Sequence, residues 1–340
     1  MEKMVDLFLE SGFRYFDTAY VYAGSEEAAR KALVSRHDRS EYELATKLNA
    51  WMLVRNEKAA KRQFYTSLER TGAEYFDFYL LHGLMRQNYR NYDRYHIWDY
   101  VAELKQKGLV RSAGFSFHGG PDLLEEILDA HPEMNFVQLQ IYYADWENPR
   151  VTSRSNYEVA RAHGKPVTIM EPVKGGALAR PPRAVRDLFD AAEPNASYAS
   201  WALRFAASLD GVLTVLSGMS TLALMQDNVS FMRDFKPLDG GERATIAQAQ
   251  KIMGRASGIP CTACHYCCAG CPKQIPIPEI FAAANLRYQE CDIQGYRDTY
   301  AFLAEKGNVA DACIHCGQCE RACPQHIDII HQLEQCIPGV

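Results

Sequence analysis

No stretch of this 340-residue sequence approaches the roughly 18 consecutive apolar residues that a membrane-spanning helix requires. The opening residues, MEKMVDLFLESGF, carry Glu2, Asp6 and Glu10 and lack an apolar h-region, so they are not expected to act as a secretory signal. Positive charge is not in excess: 37 Lys+Arg against 42 Asp+Glu leave a net charge of −5. That balance argues against a general nucleic-acid binder, which needs a basic footprint. Gly-x-Gly-x-x-Gly is absent, so the fingerprint of an open dinucleotide-binding sheet is missing. Cysteine is absent from residues 1–260, whereas all eleven cysteines lie in 261–340. This asymmetry divides the chain into two chemistries.

What is present in residues 1–235 is an alternation of short β-rich runs with amphipathic helical stretches. The runs are Tyr15–Ala19, Glu43–Leu48, Phe76–His82, Val110–Phe117, Phe136–Ile141, Pro166–Met170 and Val212–Gly218. Helical patterns separate them, such as Asn56–Thr71 ending at Gly72 and Tyr95–Gly108, and Pro121 stands at a favourable first-turn position. Strand–helix alternation predicts a parallel sheet, because parallel neighbours need a crossover. Polar residues follow several different strands, as the C-terminal rim of a (β/α)8 barrel requires. Seven strands are visible. Since the chain opens directly in a helix, the first barrel strand is expected to be the one lacking, through an incomplete start or, as the alternative, in a rearranged or partner-completed barrel. The domain division expected is a barrel over 1–235, a linker and helix over 236–260, and a small domain over 261–340.

That last segment contains one spacing twice. Cys261-x2-Cys264-x2-Cys267-x3-Cys271-Pro272 is repeated as Cys313-x2-Cys316-x2-Cys319-x3-Cys323-Pro324. This is the run that holds [4Fe–4S] clusters in bacterial ferredoxins, with the fourth cysteine going to the other cluster. The expected ligand sets are therefore Cys261, Cys264, Cys267 and Cys323 for one cluster, and Cys313, Cys316, Cys319 and Cys271 for the other. Zinc has no use for two such runs, and disulfides do not suit a chain without a signal. The intervening helical sequence resembles an α-helical ferredoxin more than the compact β-containing kind. Cys268, Cys291 and Cys336 lie outside the runs and are expected to be buried apolar thiols.

In the barrel, Asp17, Tyr22, Lys47 and His82 stand at or just after strand ends. Their chemistry fits carbonyl reduction. A tyrosine, with a pKa near 10, is a poor proton donor at neutrality, and an adjacent ammonium lowers that value. Lys47 would tune Tyr22, Asp17 would hold Lys47, and His82 would donate a hydrogen bond to the substrate oxygen.

The segments GFRYFDTAYVYAGSEEAARKAL, ELATKL, FDFYLLHG, VRSAGFSFH and VLSGMSTLALMQDN resemble the aldo/keto reductase superfamily, TIM-barrel NAD(P)H-dependent carbonyl reductases, over roughly residues 1–232. The resemblance implies Asp17, Tyr22, Lys47 and His82 as the catalytic tetrad. It also implies nicotinamide contacts from Ser116, Gln138 and Met170, and contacts to the rest of the cofactor from Ser217, Gly218 and Asn228. The departures matter: Phe117 stands where the family has an Asn, Met170 where it has a ring-stacking Tyr, and Gly218 and Leu224 where basic residues clamp the 2′-phosphate. The resemblance with these losses implies weak NADP preference.

The expectation is thus a cytoplasmic oxidoreductase interconverting a small-molecule carbonyl and alcohol with NADH or NADPH, fused to a two-[4Fe–4S] electron-transfer domain. A redox protein partner is possible on this reading, while nucleic acid and membrane are not expected as partners. Two alternatives are an electron-transfer protein whose barrel no longer uses nicotinamide, and clusters that are purely structural. His118, Glu171 and Lys174, with Trp51 and Trp146, are further candidates for the substrate pocket. The run Arg86–His96 reads as a solvated loop and helix start.

Overall fold

The computed structural model describes residues 1–52, 54–149, 151–254, 258–289 and 292–337. Two compact units form. The first comprises residues 1–141, 152–170 and 204–237, and the second comprises 142–151, 171–203 and 238–340.

The first unit is a parallel sheet of seven strands in sequential order, curled into a nearly closed barrel: β1 (Tyr15–Asp17), β2 (Glu43–Leu48), β3 (Phe76–Leu84), β4 (Val110–Phe117), β5 (Phe136–Gln140), β6 (Val167–Met170) and β7 (Val212–Val215). Each strand is followed by a helix because a parallel neighbour cannot be reached by a tight turn. The expected helix signals act as such. Asn56 caps Glu57–Thr71 by accepting the Ala59 amide at 2.9 Å, Gly72 ends that helix with φ +68°, and Pro121 opens Pro121–Ala130. Ala45, Leu80 and Phe136 fill the barrel interior, flanked by the rings of Tyr15 and Phe78.

Among the described residues no strand pairing joins β1 to β7. A cavity of about 490 Å³ lies along this seam, lined by Tyr15–Thr18 on one side and 214–217 on the other, with Met4 and Phe8 of helix Glu2–Glu10 at one end. That helix packs on helix Leu222–Met232, so the outer ring of helices continues across the gap left in the strands.

The second unit gathers the segments that follow β5 and β6 together with residues 238–340. Helix Gly240–Met253 begins with a complete capping box, in which Asp239 and Glu242 satisfy each other's amides at 2.8 Å. Helices Ile277–Gln289 and Ile293–Lys306 pack together and bury Ile280, Phe281 and Tyr296. Buried cysteines share that core. Among the described residues no helix is long and apolar enough to cross a membrane.

Candidate active site and cluster cavities

Lys47, near the end of β2, is 1% exposed and donates to a carboxylate oxygen of Asp17, at the end of β1, and to the Thr18 carbonyl at 2.8 Å. An ammonium taken this far out of water persists because an anion and a carbonyl take its protons. Its Nζ lies 5.0 Å from the centre of the Tyr22 ring, and that ring meets the His82 imidazole edge-on at 5.5 Å. The four expected residues therefore converge. Tyr22 is exposed, so its hydroxyl belongs to a site open to solvent.

His82 sits where β3 departs from regular pairing with β4: the register shifts between Leu81 and Leu84. Gly83 allows the shift with φ +69°, and its amide donates to Ser116 Oγ at 2.8 Å. The His82 carbonyl accepts from Tyr92 Oη at 2.6 Å and Trp51 Nε1 at 3.0 Å. Burial, followed by the Lys47 and His118 charges, holds the imidazole well below its usual pKa, so it is neutral at physiological pH. A neutral imidazole carries one N–H donor and one acceptor nitrogen.

Tyr92 was not singled out by the sequence, and the structure corrects the reading of Arg86–His96 as a solvated loop. Tyr89, Tyr92 and Tyr95 are buried, while Arg86 reaches outward to Asp122 and Glu126. Alternating Arg and Tyr on a short helical segment separates by face, and burial of the rings outweighs the local charge.

Ser116 and Gln138 are register partners on β4 and β5, both buried. Gln138 Nε2 has no hydrogen-bond partner among the described residues. A buried amide left unpaired costs about 1–3 kcal/mol, so a carboxamide oxygen would be a fitting acceptor. Met170 ends β6 half-buried. Ser217 Oγ accepts from Asn228 Nδ2 at 2.7 Å, and Ser217 lines the seam cavity with Asp17 and Thr18. Gly218 and Leu224 are exposed and carry no charge.

In the second unit the eight motif cysteines form two sets. Cys261, Cys264 and Cys267 line one cavity together with Cys323; Cys313, Cys316 and Cys319 line another together with Cys271. Each run thus sends its fourth cysteine to the other's cavity. The two cavities share a single residue, Ile277, which is buried. Two sulfur quartets in apolar surroundings are a donor set that fits iron–sulfur clusters. Burial pushes the Cys261 and Cys264 thiols up to about 11 and about 12, so metal must displace their protons on binding.

Other residues of this unit pack against the first quartet. Gln325 Oε1 accepts from Tyr142 Oη at 2.9 Å. A Cβ on Gly175, whose φ is +62°, would lie 2.0 Å from the Thr262 carbonyl oxygen, so only glycine permits this approach. Glu171 is directed at Thr262, and burial pushes its carboxyl up to about 7. Lys174 pairs with Asp145 at 2.6 Å. Of the cysteines outside the motifs, Cys336 is buried as expected. Cys268 is only partly buried because it lies on the short helix Tyr266–Ala269 at the domain surface, and Cys291 lies outside the described residues.

The family model for the aldo/keto reductases matches residues 1–251, and that for the 4Fe-4S dicluster domain matches residues 260–327. The chain belongs to the aldo/keto reductase family and carries a 4Fe-4S domain after its barrel. An aldo-keto reductase of Mycobacterium sp. (strain JLS) is 31% identical over 141 residues, covering 41% of this chain and 49% of that protein. A 9,11-endoperoxide prostaglandin H2 reductase of Trypanosoma cruzi is 26% identical over 171 residues, covering 49% and 55%. The chain spans about half the length of these curated relatives. Among solved structures, the holo form of an aldo-keto reductase from Bacillus halodurans superposes with a TM-score of 0.59 at 27% identity, over 73% of this chain and 85% of that one. An aldo/keto reductase of Klebsiella pneumoniae in complex with NADPH gives 0.59 at 20% identity, over 73% and 83%, and shares the fold.

Proposed function

We propose that this chain is an oxidoreductase that interconverts a small-molecule carbonyl and its alcohol with a nicotinamide cofactor, and that its C-terminal domain carries two [4Fe–4S] clusters for one-electron exchange. The functional division is a reductase barrel over 1–235, a linker and helix over 236–260, and a cluster domain over 261–340. Thiolate-ligated clusters suit a reducing compartment, which favours the cytoplasm.

The observation that carries the reading is the Lys47 ammonium placed between the Asp17 carboxylate and the Tyr22 ring, with neutral His82 beside that ring. A bound reduced nicotinamide would supply a hydride to the carbonyl carbon. Gln138, Ser116 and Met170 would hold its ring, and Ser217, Gly218 and Asn228 its distal part. His82 orients the substrate oxygen by donating a hydrogen bond. Tyr22 gives that oxygen its proton, which balances the hydride that the nicotinamide would supply and completes the alcohol. Lys47 stabilises the phenolate left behind, and Asp17 fixes Lys47 in position. For the clusters, Cys261, Cys264, Cys267 and Cys323 would hold one, and Cys313, Cys316, Cys319 and Cys271 the other.

Tyr22→Phe tests the reading. It preserves the ring and removes the proton donor, so kcat for aldehyde reduction is expected to fall by 10²-fold or more, the scale of general acid catalysis, while nicotinamide binding followed by fluorescence is unchanged. Retained turnover would remove Tyr22 from the mechanism.

A further inference from the structure

We infer that Glu171 and Gly175 are positioning residues of the nicotinamide site, and that they act by gripping the loop of the Cys261 quartet, so that iron bound there tightens nicotinamide binding. This rests on the reading above, in which Met170 meets the nicotinamide ring and the quartets hold clusters, and adds to it a link between the two.

The link starts at the strand ends. The Ile141 amide donates to the Met170 carbonyl at 3.4 Å, which ties the end of β6 to the residue after β5. From there the chain enters the segments 142–151 and 171–203 of the second unit. The segment after β6 begins in a strained backbone: Glu171 and Lys174 have φ of +55° and +51°, and Gly175 and Gly176 have +62° and +95°. Side chains larger than glycine keep such a backbone only where their surroundings over-determine it. Contacts within the second unit do so. Glu171 is directed at Thr262. Gly175 comes so close that a Cβ on it would stand 2.0 Å from the Thr262 carbonyl oxygen. Lys174 pairs at 2.6 Å with Asp145, in the segment after β5, and Tyr142 of that same segment donates to Gln325 at 2.9 Å.

Thr262 and Gln325 belong to one quartet. Thr262 follows Cys261 and Gln325 lies two residues after Cys323; both are buried and line that cavity. Residues 261–265 and 323–328 form neither helix nor strand, and Ala263, His265 and His326 have φ of +53°, +61° and +51°. Ligation of Cys261, Cys264, Cys267 and Cys323 by a single group would fix both segments at once. Glu171 and Gly175 then rest on a rigid loop, and Met170, one peptide bond away from Glu171, is held for its ligand. With the quartet empty the loop is free to shift, and nicotinamide binding must supply the ordering itself, at a cost in affinity. The other quartet has no such connection: among the described residues, none that lines the Cys271 cavity hydrogen-bonds to 142–151 or 171–203.

The test is a cycle on the full-length protein. Wild type and Gly175→Ala, each iron-loaded and iron-free, are titrated with NADH and followed by nicotinamide fluorescence. Removing iron from the wild type is expected to raise the Kd for NADH by about fivefold or more, the lower end of coupling between sites. Gly175→Ala is expected to raise it comparably in the loaded protein and no further in the iron-free one. Coupling is reciprocal, so saturating NADH should protect the iron of the wild type against a chelator and protect that of Gly175→Ala less. Should Gly175→Ala not fold, Glu171→Ala takes its place, with binding restored by Glu171→Gln, which keeps the length of the side chain. Gly317→Ala is the matched control, since Gly317 has φ +70° in the loop of the other quartet; with iron content unchanged, it should alter the Kd less than about twofold, well below the coupling expected. Equal NADH affinity with and without iron, an equal effect of Gly175→Ala in both states, or an effect of Gly317→Ala as large as that of Gly175→Ala would overturn the inference. A wild-type chain that takes up no iron would refute the cluster reading, and one that binds no NADH in either state would refute the nicotinamide reading, so those failures are distinct from failure of the link.

Discussion

Lys47→Met is the most demanding perturbation the barrel offers. Methionine keeps the length of the stem and deletes the charge. Asp17, whose side chain is 16% exposed, then loses its cation, and the Thr18 carbonyl loses a donor. Breaking a buried pair from one side costs about 3–5 kcal/mol, because the remaining charge is left uncompensated. With a urea slope of about 3 kcal/mol per molar, the unfolding midpoint of the barrel should drop by about 1 M or more. Asp17→Asn leaves Lys47 stranded and should cost a similar amount. The double variant Asp17→Asn/Lys47→Met removes both charges and should cost less than the two single variants together, by about 2 kcal/mol or more. Urea titration of the four proteins, followed by circular dichroism and by tryptophan fluorescence, closes the cycle. A coupling below about 0.5 kcal/mol would mean that the pair is solvated like a surface bridge, and the argument that Asp17 holds Lys47 for chemistry would fail with it.

His82 gives a pH signature. Its pKa is depressed in the fold, so the unfolded chain binds a proton below about pH 6.5 that the folded chain does not. The stability it contributes is present above that pH and is lost as pH falls, at a slope of up to about 1.4 kcal/mol per unit; His82→Gln should flatten this part of the stability profile. Cys323→Ala and Cys261→Ala should disable the same cluster and leave the same spectroscopic signal, whereas Cys271→Ala should remove the other; loss of a different signal from Cys323→Ala and Cys261→Ala would refute the exchange of fourth ligands. Because Gly218 and Leu224 carry no charge, affinities for NADH and NADPH measured by fluorescence titration should agree within about tenfold, and a strong NADPH preference would show that the phosphate is held elsewhere.

Much of the barrel was legible because its strands are short and β-rich and each is separated from the next by a crossover, so elements and order follow from local pattern. The tetrad was legible for a similar reason: Asp17, Lys47 and His82 lie in strands whose register brings their ends together, and Tyr22 is close to Asp17 in sequence. What the sequence did not reveal depends on contacts across the fold. That β3 runs past His82 to Leu84 follows from Gly83 donating to Ser116, two residues far apart in the chain. Tyr92 is invisible as a support for His82 because nothing in RQNYRNYDRYH tells which face turns inward. Gly175, Thr262 and Gln325 carry no motif; their roles come from approach distances that only the folded second unit defines. The gathering of the motif cysteines around two cavities was readable from their spacing, whereas the exposure of Cys268 depends on the short helix around it.

The exchange of Cys271 and Cys323 between the two quartets also has a consequence for biogenesis. A chain emerging from the ribosome presents Cys261, Cys264, Cys267 and Cys271 early, yet the first cavity is one sulfur short until residue 323 is made, and the second has only Cys271 until residue 313. With both quartets holding iron as proposed, neither cluster can be completed by the half of the domain that is synthesised first. Maturation then becomes a late, concerted event, and a truncation of fewer than twenty residues from the C-terminal end, enough to remove Cys323, would cost the protein the site whose other three ligands lie more than fifty residues upstream.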